Sequence, residues 1–290
     1  MLGSGSYGCV FRHNKMALKR SKCDSIESFQ AILREICVLS QNLPHCIKYH
    51  GFKKENDYYC IFLDLADGDL RNTKAPANAR DQLLSAVFYL HENNIFHRDL
   101  KPENILVKGS NIFLCDFGMS CSWSDGVHGT GYIVSKWYRA PEIHFHYKKK
   151  LIYTEAMDNF SVGCILYEIK FGLPLNSDMS YNYNVSDPLI KGLVEFNPKN
   201  RLNMEDCLNR KFKKKEFNIE LSERSKKLLK KFPYKKRVFE HTERMSHKHG
   251  LSYEKACYIS TLVYGSIDYL LYHLDIDDSF ELDSDKIFQF

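Results

Sequence analysis

The sequence predicts an α+β fold of two lobes, a β-rich first lobe over about residues 1–65 and a helical second lobe over about residues 70–212. Three observations support this prediction. Short β-like runs surround one helix in the first seventy residues, helical periodicity begins at position 79, and the segment NFSVGCILYEI is apolar almost all round. The lobes join near DLADGDL, and residues 213–290 form a predicted helical extension.

The first lobe begins with a predicted tight hairpin, in which CVFR and MALKR flank the turn residues HNK. A helix follows, because apolar residues recur at helical spacing. They are Ile26, Phe29, Leu33 and Ile36. The segments IKYHGF and YYCIFL predict two further strands.

The second lobe begins with a predicted helix in ARDQLLSAVFYLHEN, where Leu83, Val87 and Leu90 recur at helical spacing. The segment ILVKGSNIFLCDFG predicts a second hairpin that turns at Gly109 and Ser110. NFSVGCILYEI predicts a helix that is buried on all sides.

Composition narrows the function classes. The formal net charge of +5 is mildly basic and gives little support to a nucleic-acid partner. Ten cysteines are scattered singly without a C-x-x-C pair or a secretory signal, which predicts free thiols in a cytosolic protein. The stretch ACYISTLVYGSIDYLLYHL carries Asp268 and His273 and predicts an amphipathic helix, not a membrane span. We expect a cytoplasmic or nuclear location.

A glycine triplet, Gly3, Gly5 and Gly8, opens the chain. Glycines at this spacing let backbone amides approach a phosphate, because no Cβ intervenes. Taken alone, G-x-G-x-x-G also matches ordinary hairpins. Its chemistry therefore depends on the motifs that follow.

The next motifs supply charged and polar residues in a fixed order. MALKR places Lys19 on the predicted third strand, and ILREI places Glu35 on the next helix, where it can pair with Lys19. HRDLKPEN supplies Asp99, Lys101 and Asn104 on one loop. An ammonium at Lys19 can reach the phosphates of a nucleotide.

DFG supplies Asp116, and APE ends the series at Glu142. Singly, Lys19 also fits a solvated strand lysine, Asp99 a turn cap, and Asp116 an Asx-turn residue. Five motifs in this order carry far more weight, and over roughly residues 1–212 the chain resembles a eukaryotic-type protein kinase.

The resemblance implies phosphoryl transfer from ATP with Mg²⁺. Asp99 would orient the substrate hydroxyl or accept its proton, and Lys101 would steady the γ-phosphate. Asn104 and Asp116 offer the oxygen ligands that Mg²⁺ prefers. Catalysis of this kind is mostly positioning and electrostatics.

The resemblance also assigns the nucleotide contacts, which lie on the glycine loop, the third strand, the helix and the junction between the lobes. They are Leu2, Gly3, Gly5, Gly8, Val10, Ala17, Lys19, Glu35, Leu63, Asp64, Ala66 and Asp69. Leu63 would be the gatekeeper. Asp64 and Ala66 would bond adenine through their backbones, and Asp69 would bond the ribose.

Two structural roles follow by resemblance. Glu142 and Arg201 match an ion bridge that ties the activation segment to the late helices. Asp158 matches a buried aspartate that holds the backbone of the catalytic loop, although Phe160 stands where tryptophan is usual.

The kind of kinase is indicated by three residues. Lys101 and Ser135 fit serine/threonine kinases and not tyrosine kinases. VSKWYRAPE resembles the cyclin-dependent and MAP kinase group, in which an arginine matching Arg139 helps to select proline after the acceptor. Protein substrates with Ser or Thr are therefore expected.

Activation is also suggested by resemblance. Thr130 stands where that group carries its activating threonine, with Arg34 and Arg98 as the phosphate's partners. QAILREI resembles a cyclin-binding helix, so a cyclin-like or other activating partner is expected. The group has a third phosphate-binding arginine, and this position is Cys121 here. A phosphate on Thr130 would therefore have fewer arginine partners.

Some features depart from the group. Only Met1 and Leu2 precede the glycine loop, so either the start is truncated or half of the first strand is missing. The long insert expected after Gly172 is also missing. Ser6 and Tyr7 match paired inhibitory sites, or else supply a loop hydroxyl and a stacking ring. The compact form is similar in style to kinases of large DNA viruses, which implies action inside a host cell.

The extension 213–290 has no kinase counterpart. It opens with a Lys/Arg-rich run, which fits a solvated helix face or a surface for nucleic acid or an acidic partner. HGLSYEKACYISTLVYGSIDYLLYHLDI faintly resembles one helical hairpin of a cyclin box. The rival functions are a pseudokinase scaffold and a weakly active kinase that acts mainly through this extension.

Overall fold

A computed structural model describes residues 1–5, 8–93, 95–122, 128–129, 135–145, 151–181, 184–210, 222–223, 226 and 242–243. The chain divides into two compact units, Met1–Trp123 with Val127–Lys214, and Ser124–Gly126 with Lys215–Phe290. All the helices and strands given below belong to the first unit. Three predicted modification sites and nearly all of the predicted extension lie outside the described residues: Ser6, Tyr7, Thr130 and most of 213–290.

The first lobe is built on an antiparallel sheet. Its described strands are β1 (Gly3–Gly5), β2 (Gly8–His13), β3 (Met16–Lys22), β4 (Tyr49–Glu55) and β5 (Tyr58–Asp64), in the spatial order β1-β2-β3-β5-β4. The predicted hairpin and the two later strands are confirmed. The two-residue turns begin at Asn14 and Asn56, with φ of 56° and 51°, a region that asparagine enters more readily than most residues.

Helix α1 (Ile26–Leu39) packs against this sheet. It begins with a capping box, in which Ser25 and Ser28 each accept the other's backbone N–H at 3.1 Å. The predicted apolar face is buried at Phe29, Leu33 and Ile36. The Phe29 ring lies 6.0 Å from the ring of Tyr59 on β5. Burial of each such side chain contributes about 1.5–3 kcal/mol, which fixes α1 on the sheet.

The second lobe contains most of the described helices. They are α2 (Ala79–Glu92), α3 (Pro141–Phe145), α4 (Glu155–Phe171), α5 (Pro188–Leu193) and α6 (Met204–Leu208). Helices α2 and α4 confirm the two predicted helices. Helices α4 and α5 lie close together at Gly163, which has no side chain. A Cβ at this position would lie 2.9 Å from the Cβ of Leu193.

Short strands complete the second lobe. They are β6 (Gly68–Asp69), β7 (Ile95–Phe96), β8 (Ile105–Lys108), β9 (Asn111–Leu114), β10 (Cys121–Ser122), β11 (His128–Gly129) and β12 (Leu151–Ile152). β8 and β9 form the predicted hairpin, with Gly109 at φ 60°. Strand β6, which the sequence did not predict, pairs with β8 and aligns the junction between the lobes with the HRDLKPEN loop.

Two further findings concern the described segments, and the stretch ACYISTLVYGSIDYLLYHL lies outside them. None of the helices in the described segments has the length and apolar character that crossing a membrane requires. Eight cysteines of these segments carry free thiols, in agreement with the prediction from their scattered positions.

Candidate active site

Lys19 lies in a buried cluster where β3, α1 and the DFG segment meet. Its Nζ is 2.8 and 2.7 Å from the two carboxylate oxygens of Glu35 and 2.8 Å from Asp116 Oδ1. Lys19 is only 8% exposed and Glu35 only 2%. The pair predicted from the sequence is therefore formed, and Asp116 joins it as a second anionic partner.

The three charges shift one another's proton affinity. Burial alone would lower the pKa of Lys19, but the carboxylates of Glu35 and Asp116 outweigh burial and raise it. Burial tends to raise the pKa of Asp116, but the Lys19 ammonium outweighs that tendency and lowers it. A protonated lysine thus faces an ionised aspartate at neutral pH, in surroundings that strengthen electrostatic contacts.

The Asp99 carboxylate is held by donors from two segments of the chain. Lys101 Nζ donates to Oδ2 at 2.6 Å, and Asn104 Nδ2 donates to the same oxygen at 3.1 Å. Ser135 donates its backbone N–H at 3.2 Å and its hydroxyl at 2.9 Å to Oδ1. The three residues predicted on one loop are thus brought together, with Ser135 closing the group from the other side.

The backbone before Asp99 is anchored by Asp158 of α4. This carboxylate, which is fully buried, accepts the backbone N–H of His97 at 2.8 Å and that of Arg98 at 3.0 Å. It also accepts the Tyr153 hydroxyl at 3.1 Å. Arg98 has φ 70°, a strained value for a residue with a side chain. The expected anchoring role of Asp158 is therefore confirmed by its contacts.

Asn104 and Asp116 offer oxygens to a cation. The backbone carbonyl of Asn104 accepts the backbone N–H of Cys115 at 3.0 Å, and this bond joins the two segments. Asp116 adopts the left-handed region, with φ 62°, which turns its carboxylate away from the regular strand direction. Within the described residues, no group of three His, Cys, Asp or Glu side chains forms a metal cage. One carboxylate and one amide oxygen nevertheless fit Mg²⁺, which binds few protein ligands and takes the rest from phosphates and water.

Strand register aligns several of the predicted nucleotide contacts. Gly3 pairs with Val10, and Val10 pairs with Lys19 across the first hairpins. Ala17 pairs with Leu63 on β5, and both are buried. The predicted gatekeeper and the predicted phosphate-binding lysine therefore lie on neighbouring strands of one sheet.

The glycine loop has a specific need for glycine at position 8. Gly8 has φ 146°, and a Cβ there would lie 2.4 Å from the carbonyl oxygen of Arg20. Gly5 pairs with Gly8, and the Leu2 N–H extends the pairing by donating to the Val10 carbonyl at 2.7 Å. The loop is therefore part of the sheet at both of its ends.

At the junction between the lobes, Asp64 is tied into the fold by several contacts. Its backbone N–H donates to the Lys48 carbonyl at 2.9 Å, and Asp64 pairs with Met16 of β3. Its carboxylate contacts His50 Nε2 at 2.6 Å and Lys108 Nζ at 2.8 Å. Burial tends to raise the pKa of Asp64, but these two groups outweigh it and lower that pKa. Ala66 follows, half-buried.

The Asp69 carboxylate stabilises a local turn. Its Oδ1 accepts the backbone N–H groups of Arg71 and Asn72 at 2.9 and 3.0 Å. Its role at the ribose stays a prediction. The sequence did not point to Arg71, which lies in this turn. The Arg71 side chain contacts Glu103 and Glu168, which lie 32 and 97 positions further along the chain. No local spacing signals such a contact.

The expected ion bridge between the activation segment and the late helices is confirmed. Arg201 donates to the two carboxylate oxygens of Glu142 at 2.6 and 2.9 Å. The same guanidinium donates to the carbonyls of Ala156, Glu195 and Phe196. Bidentate geometry and near-complete burial make this a strong contact.

The two arginines expected to meet a phosphate have different surroundings. Arg98 is buried, its Nε has no hydrogen bond within the described residues, and its guanidinium lies 5.4 Å from the Tyr153 ring. Arg34 donates to the Gly118 carbonyl at 3.4 Å. Thr130, the expected phosphate carrier, lies outside the described residues.

A β-rich lobe with a buried lysine–glutamate pair, joined to a helical lobe whose loop carries Asp99, Lys101 and Asn104, defines the class of protein kinases. The comparison with known families agrees. Residues 1–232 match the family described as Protein kinase domain. The chain therefore belongs to the protein kinase family, with the bilobal α+β fold that the sequence predicted.

Similar curated proteins include MAP kinases and cyclin-dependent kinase-like proteins. The chain is 33% identical over 204 residues to Mitogen-activated protein kinase 14 of Oryza sativa subsp. japonica, covering 60% of this chain and 37% of that protein. It is 34% identical over 204 residues to Mitogen-activated protein kinase 15 of Arabidopsis thaliana, covering 60% and 35%. It is 32% identical over 201 residues to Cyclin-dependent kinase-like 5 of Homo sapiens, covering 60% and 20%.

These matches place the kinase domain beside the cyclin-dependent and MAP kinase group, as the motifs predicted. The chain spans between a fifth and two fifths of the length of these curated relatives. The substrates, partners and full activity of the whole relatives are therefore matters for proposal.

Proposed function

We propose that the chain is an ATP-dependent serine/threonine protein kinase. The observation that carries the proposal is the Asp99 carboxylate, held between Lys101 and Asn104 on one side and Ser135 on the other. Such a group is positioned to receive a substrate hydroxyl. A lysine at position 101 and a small hydroxyl at position 135 favour Ser and Thr as acceptors.

In the proposed reaction, the oxygen of the substrate hydroxyl forms a bond to the γ-phosphorus of ATP. The bond from that phosphorus to the bridging oxygen breaks, and ADP leaves. Asp99 takes the hydroxyl proton, and Lys101 offsets charge on the γ-phosphoryl oxygens. Lys19, oriented by Glu35, holds the other phosphates, so the residues act by alignment and by fixed charge.

The residues at the DFG segment fit Mg²⁺ as the accompanying ion. The carboxylate of Asp116 and the amide oxygen of Asn104 would hold it, because the Asn104 Nδ2 already donates to the Asp99 carbonyl at 2.8 Å and leaves the oxygen for a cation. When bound, Mg²⁺ neutralises charge on the ATP phosphates. The protein's part is to orient those two oxygens.

Preference for proline after the acceptor and activation by a cyclin-like partner are further parts of the proposal. Arg139, which follows the Ser135 segment, supports the preference for proline. Arg34 and Arg98 support a phosphate-dependent activation step, and the similarity to cyclin-dependent kinase-like proteins supports a partner. The free thiols support a location in a reducing compartment, the cytoplasm or the nucleus. If the protein is viral, this compartment belongs to the host cell.

The test is transfer of radiolabel from Mg·ATP to a panel of Ser, Thr and Tyr peptides, with and without proline after the acceptor. The wild-type chain should label Ser and Thr peptides, and Asp99→Asn should lose transfer while still binding ATP. Asp81→Asn is the matched control, because Asp81 is exposed and its carboxylate forms a salt bridge with the adjacent Arg80 at 3.1 Å. A wild-type chain that binds ATP but labels no peptide would favour the scaffold function instead.

A further inference from the structure

The Asp69 carboxylate projects from backbone that is fixed on both sides. The residue lies at the end of β6, which pairs with β8, and Leu70 donates its backbone N–H to the carbonyls of Pro102 and Ile105 at 3.2 and 2.9 Å. The Asp69 carbonyl accepts the backbone N–H of Thr73 at 2.8 Å, which closes a tight turn. The position of the carboxylate is therefore set by the fold and not by a ligand.

Within the described residues, four hydrogen bonds already reach this carboxylate. Oδ1 accepts the backbone N–H groups of Arg71 and Asn72 at 2.9 and 3.0 Å, and also Nδ2 of Asn72 at 3.0 Å. Oδ2 accepts the same Nδ2 at 3.1 Å. An amide nitrogen carries two hydrogens, so the Asn72 side chain can donate to both oxygens of Asp69 at once.

These bonds limit what the Asp69 carboxylate can accept from a ligand. An ionised carboxylate offers about four lone-pair positions, two on each oxygen. Three donors saturate Oδ1, and the bond from Asn72 leaves one position on Oδ2. The ribose of ATP, which Asp69 is predicted to bond, has hydroxyl groups at C2′ and C3′. While the Asn72 amide stays in place, Asp69 can therefore accept one of these hydroxyls but not both.

A second ribose hydroxyl gains little by displacing the Asn72 amide. Both groups are neutral donors to the same carboxylate, so the exchange replaces one charge-assisted hydrogen bond with another. The backbone of Asn72 is also part of the turn, because its N–H donates to the Asp69 carbonyl at 3.1 Å as well as to Oδ1. The amide is therefore held close to the carboxylate and competes with the sugar.

We propose that Asn72 sets the sugar specificity of the nucleotide site by restricting Asp69 to one ribose hydroxyl at a time. Either hydroxyl can fill the single open position on Oδ2, so the site accepts 2′-deoxy-ATP and 3′-deoxy-ATP alongside ATP. A nucleotide that lacks both hydroxyls loses the contact. Asn72 acts through Asp69 and is a positioning residue. This inference rests on the proposed kinase function and on the predicted place of Asp69 at the ribose.

The first experiment measures the Kd of the whole chain for four nucleotides by isothermal titration calorimetry in the presence of Mg²⁺. The nucleotides are ATP, 2′-deoxy-ATP, 3′-deoxy-ATP and 2′,3′-dideoxy-ATP. The first three should bind within about twofold of one another, because each fills the open position, and the fourth should bind about fivefold more weakly, because that hydrogen bond is lost. A wild-type chain that prefers ATP to both monodeoxy nucleotides by about fivefold or more would overturn the proposal.

Asn72→Ala removes the amide from both oxygens, while the backbone N–H groups of residues 71 and 72 still donate to Oδ1 and keep the turn. Both positions on Oδ2 are then open, so ATP should bind about fivefold more tightly than either monodeoxy nucleotide. Asn78→Ala is the matched control, because Asn78 is an exposed asparagine of the same connection and makes no side-chain capping bond to the described start of α2. If Asn72→Ala and Asn78→Ala both keep the wild-type ratios, Asn72 does not restrict Asp69 and the proposal is wrong.

Asp69→Asn tests the acceptor itself. Its remaining oxygen can still accept the backbone N–H groups of the turn, but its NH₂ group is a donor and cannot receive a ribose hydroxyl. In this variant 2′,3′-dideoxy-ATP should bind as tightly as ATP. A dideoxy penalty equal to that of the wild type would place the ribose contact on another residue and overturn the proposal.

Steady-state kinetics distinguishes a sugar contact from a merely structural effect. Asn72→Ala should lower KM for ATP and leave kcat within about twofold, because the Asn72 side chain bonds Asp69 and not the groups around Asp99. Loosening of the lobe junction would instead lower kcat and weaken all four nucleotides alike, which would contradict the specificity role.

Calorimetry separates this inference from the proposed function. A wild-type chain that binds ATP without phosphoryl transfer would contradict the kinase function, and its Kd ratios would still decide the role of Asn72. An active chain whose Asn72→Ala variant keeps the wild-type ratios would contradict the specificity role alone. Thermal unfolding of Asn72→Ala and Asp69→Asn checks that the comparison is made on folded protein.

Discussion

Ser135 donates both its backbone N–H and its hydroxyl to one carboxylate oxygen of Asp99, at 3.2 and 2.9 Å. The other oxygen receives Lys101 and Asn104. Each oxygen therefore has its own donors, and the plane of the carboxylate is fixed from two segments of the chain. Orientation of a general base matters as much as its proton affinity, because the base must lie within hydrogen-bond reach of its proton.

Ser135→Ala should lower kcat for peptide phosphorylation by about tenfold, which corresponds to about 1.4 kcal/mol, because one of the two bonds that Ser135 donates to Asp99 Oδ1 is lost. The backbone N–H remains, so the loss should be smaller than that of Asp99→Asn. Ser135→Thr keeps the hydroxyl and should retain most of the rate. Steady-state kinetics measures all three variants, and a Ser135→Ala enzyme with wild-type kcat would contradict the orienting role.

Lys19→Met should destabilise the fold as well as abolish transfer. It leaves the buried carboxylate of Glu35 and the partly exposed carboxylate of Asp116 without their cation, and removal of one partner of a buried pair costs about 3–5 kcal/mol. Urea unfolding measures the loss, and Lys22→Met on the exposed end of β3 is the control.

Adding Glu35→Gln to Lys19→Met should recover part of that stability, because it removes one uncompensated buried charge. Activity should not recover, since the group that holds the phosphates is still missing. A double variant less stable than Lys19→Met would show that Glu35 is held by contacts other than the lysine.

The sequence predicted those parts of the site that lie in short motifs. Lys19 and Glu35 are 16 positions apart, on a strand and a helix that each have a clear periodic pattern, so their meeting follows once the helix packs on the sheet. Asp99, Lys101 and Asn104 share one loop, which makes their proximity nearly automatic. The fold class was predictable for the same reason, because apolar periodicity dominates each long element.

The contacts of Arg71 with Glu103, Glu168 and Tyr138 were not predictable, because these four residues come from separate segments of the chain and follow no common spacing. Arg71 and Glu168 lie 97 positions apart, and each reads locally as an ordinary exposed charge. Strand β6 was missed because two residues contain no period. Asp69 likewise shows a turn-capping role that only the backbone conformation reveals.

Gly8→Ala should destabilise the first lobe, whereas Gly3→Ala should have little effect on stability. A Cβ at Gly8 would lie 2.4 Å from the Arg20 carbonyl oxygen, with φ at 146°, while nothing lies within 4 Å of a Cβ at Gly3. Overpacking of this kind costs about 1–3 kcal/mol. Thermal unfolding of the two variants measures the difference, and equal melting temperatures would mean that the β1–β2 hairpin shifts without cost.

The last prediction concerns Asp158 and acid. Its buried carboxylate accepts the backbone N–H groups of His97 and Arg98, and these contacts have a defined pH dependence. Burial tends to raise the pKa of Asp158, but the hydrogen bond and charge of His91 together with the other donors outweigh burial and lower that pKa below its ordinary value of 3.8. The carboxyl group therefore stays ionised in the folded protein under conditions that protonate it in the unfolded chain.

A group whose pKa is lower in the folded state stabilises the fold fully above its unfolded pKa, and that stabilisation is lost as the pH falls through the folded pKa. Asp158→Asn should lower the free energy of unfolding by about 3 kcal/mol at pH 6, because its NH₂ group replaces one of the two oxygens that accept backbone N–H groups and the charge is lost. The gap between wild type and variant should stay level from pH 7 to pH 5 and narrow below pH 3.8, as the wild-type carboxylate itself becomes protonated. Urea unfolding at several pH values measures the gap, with Asp81→Asn as the exposed control. A gap that stays level down to pH 2 would show that the carboxylate's charge does not contribute to anchoring the catalytic loop.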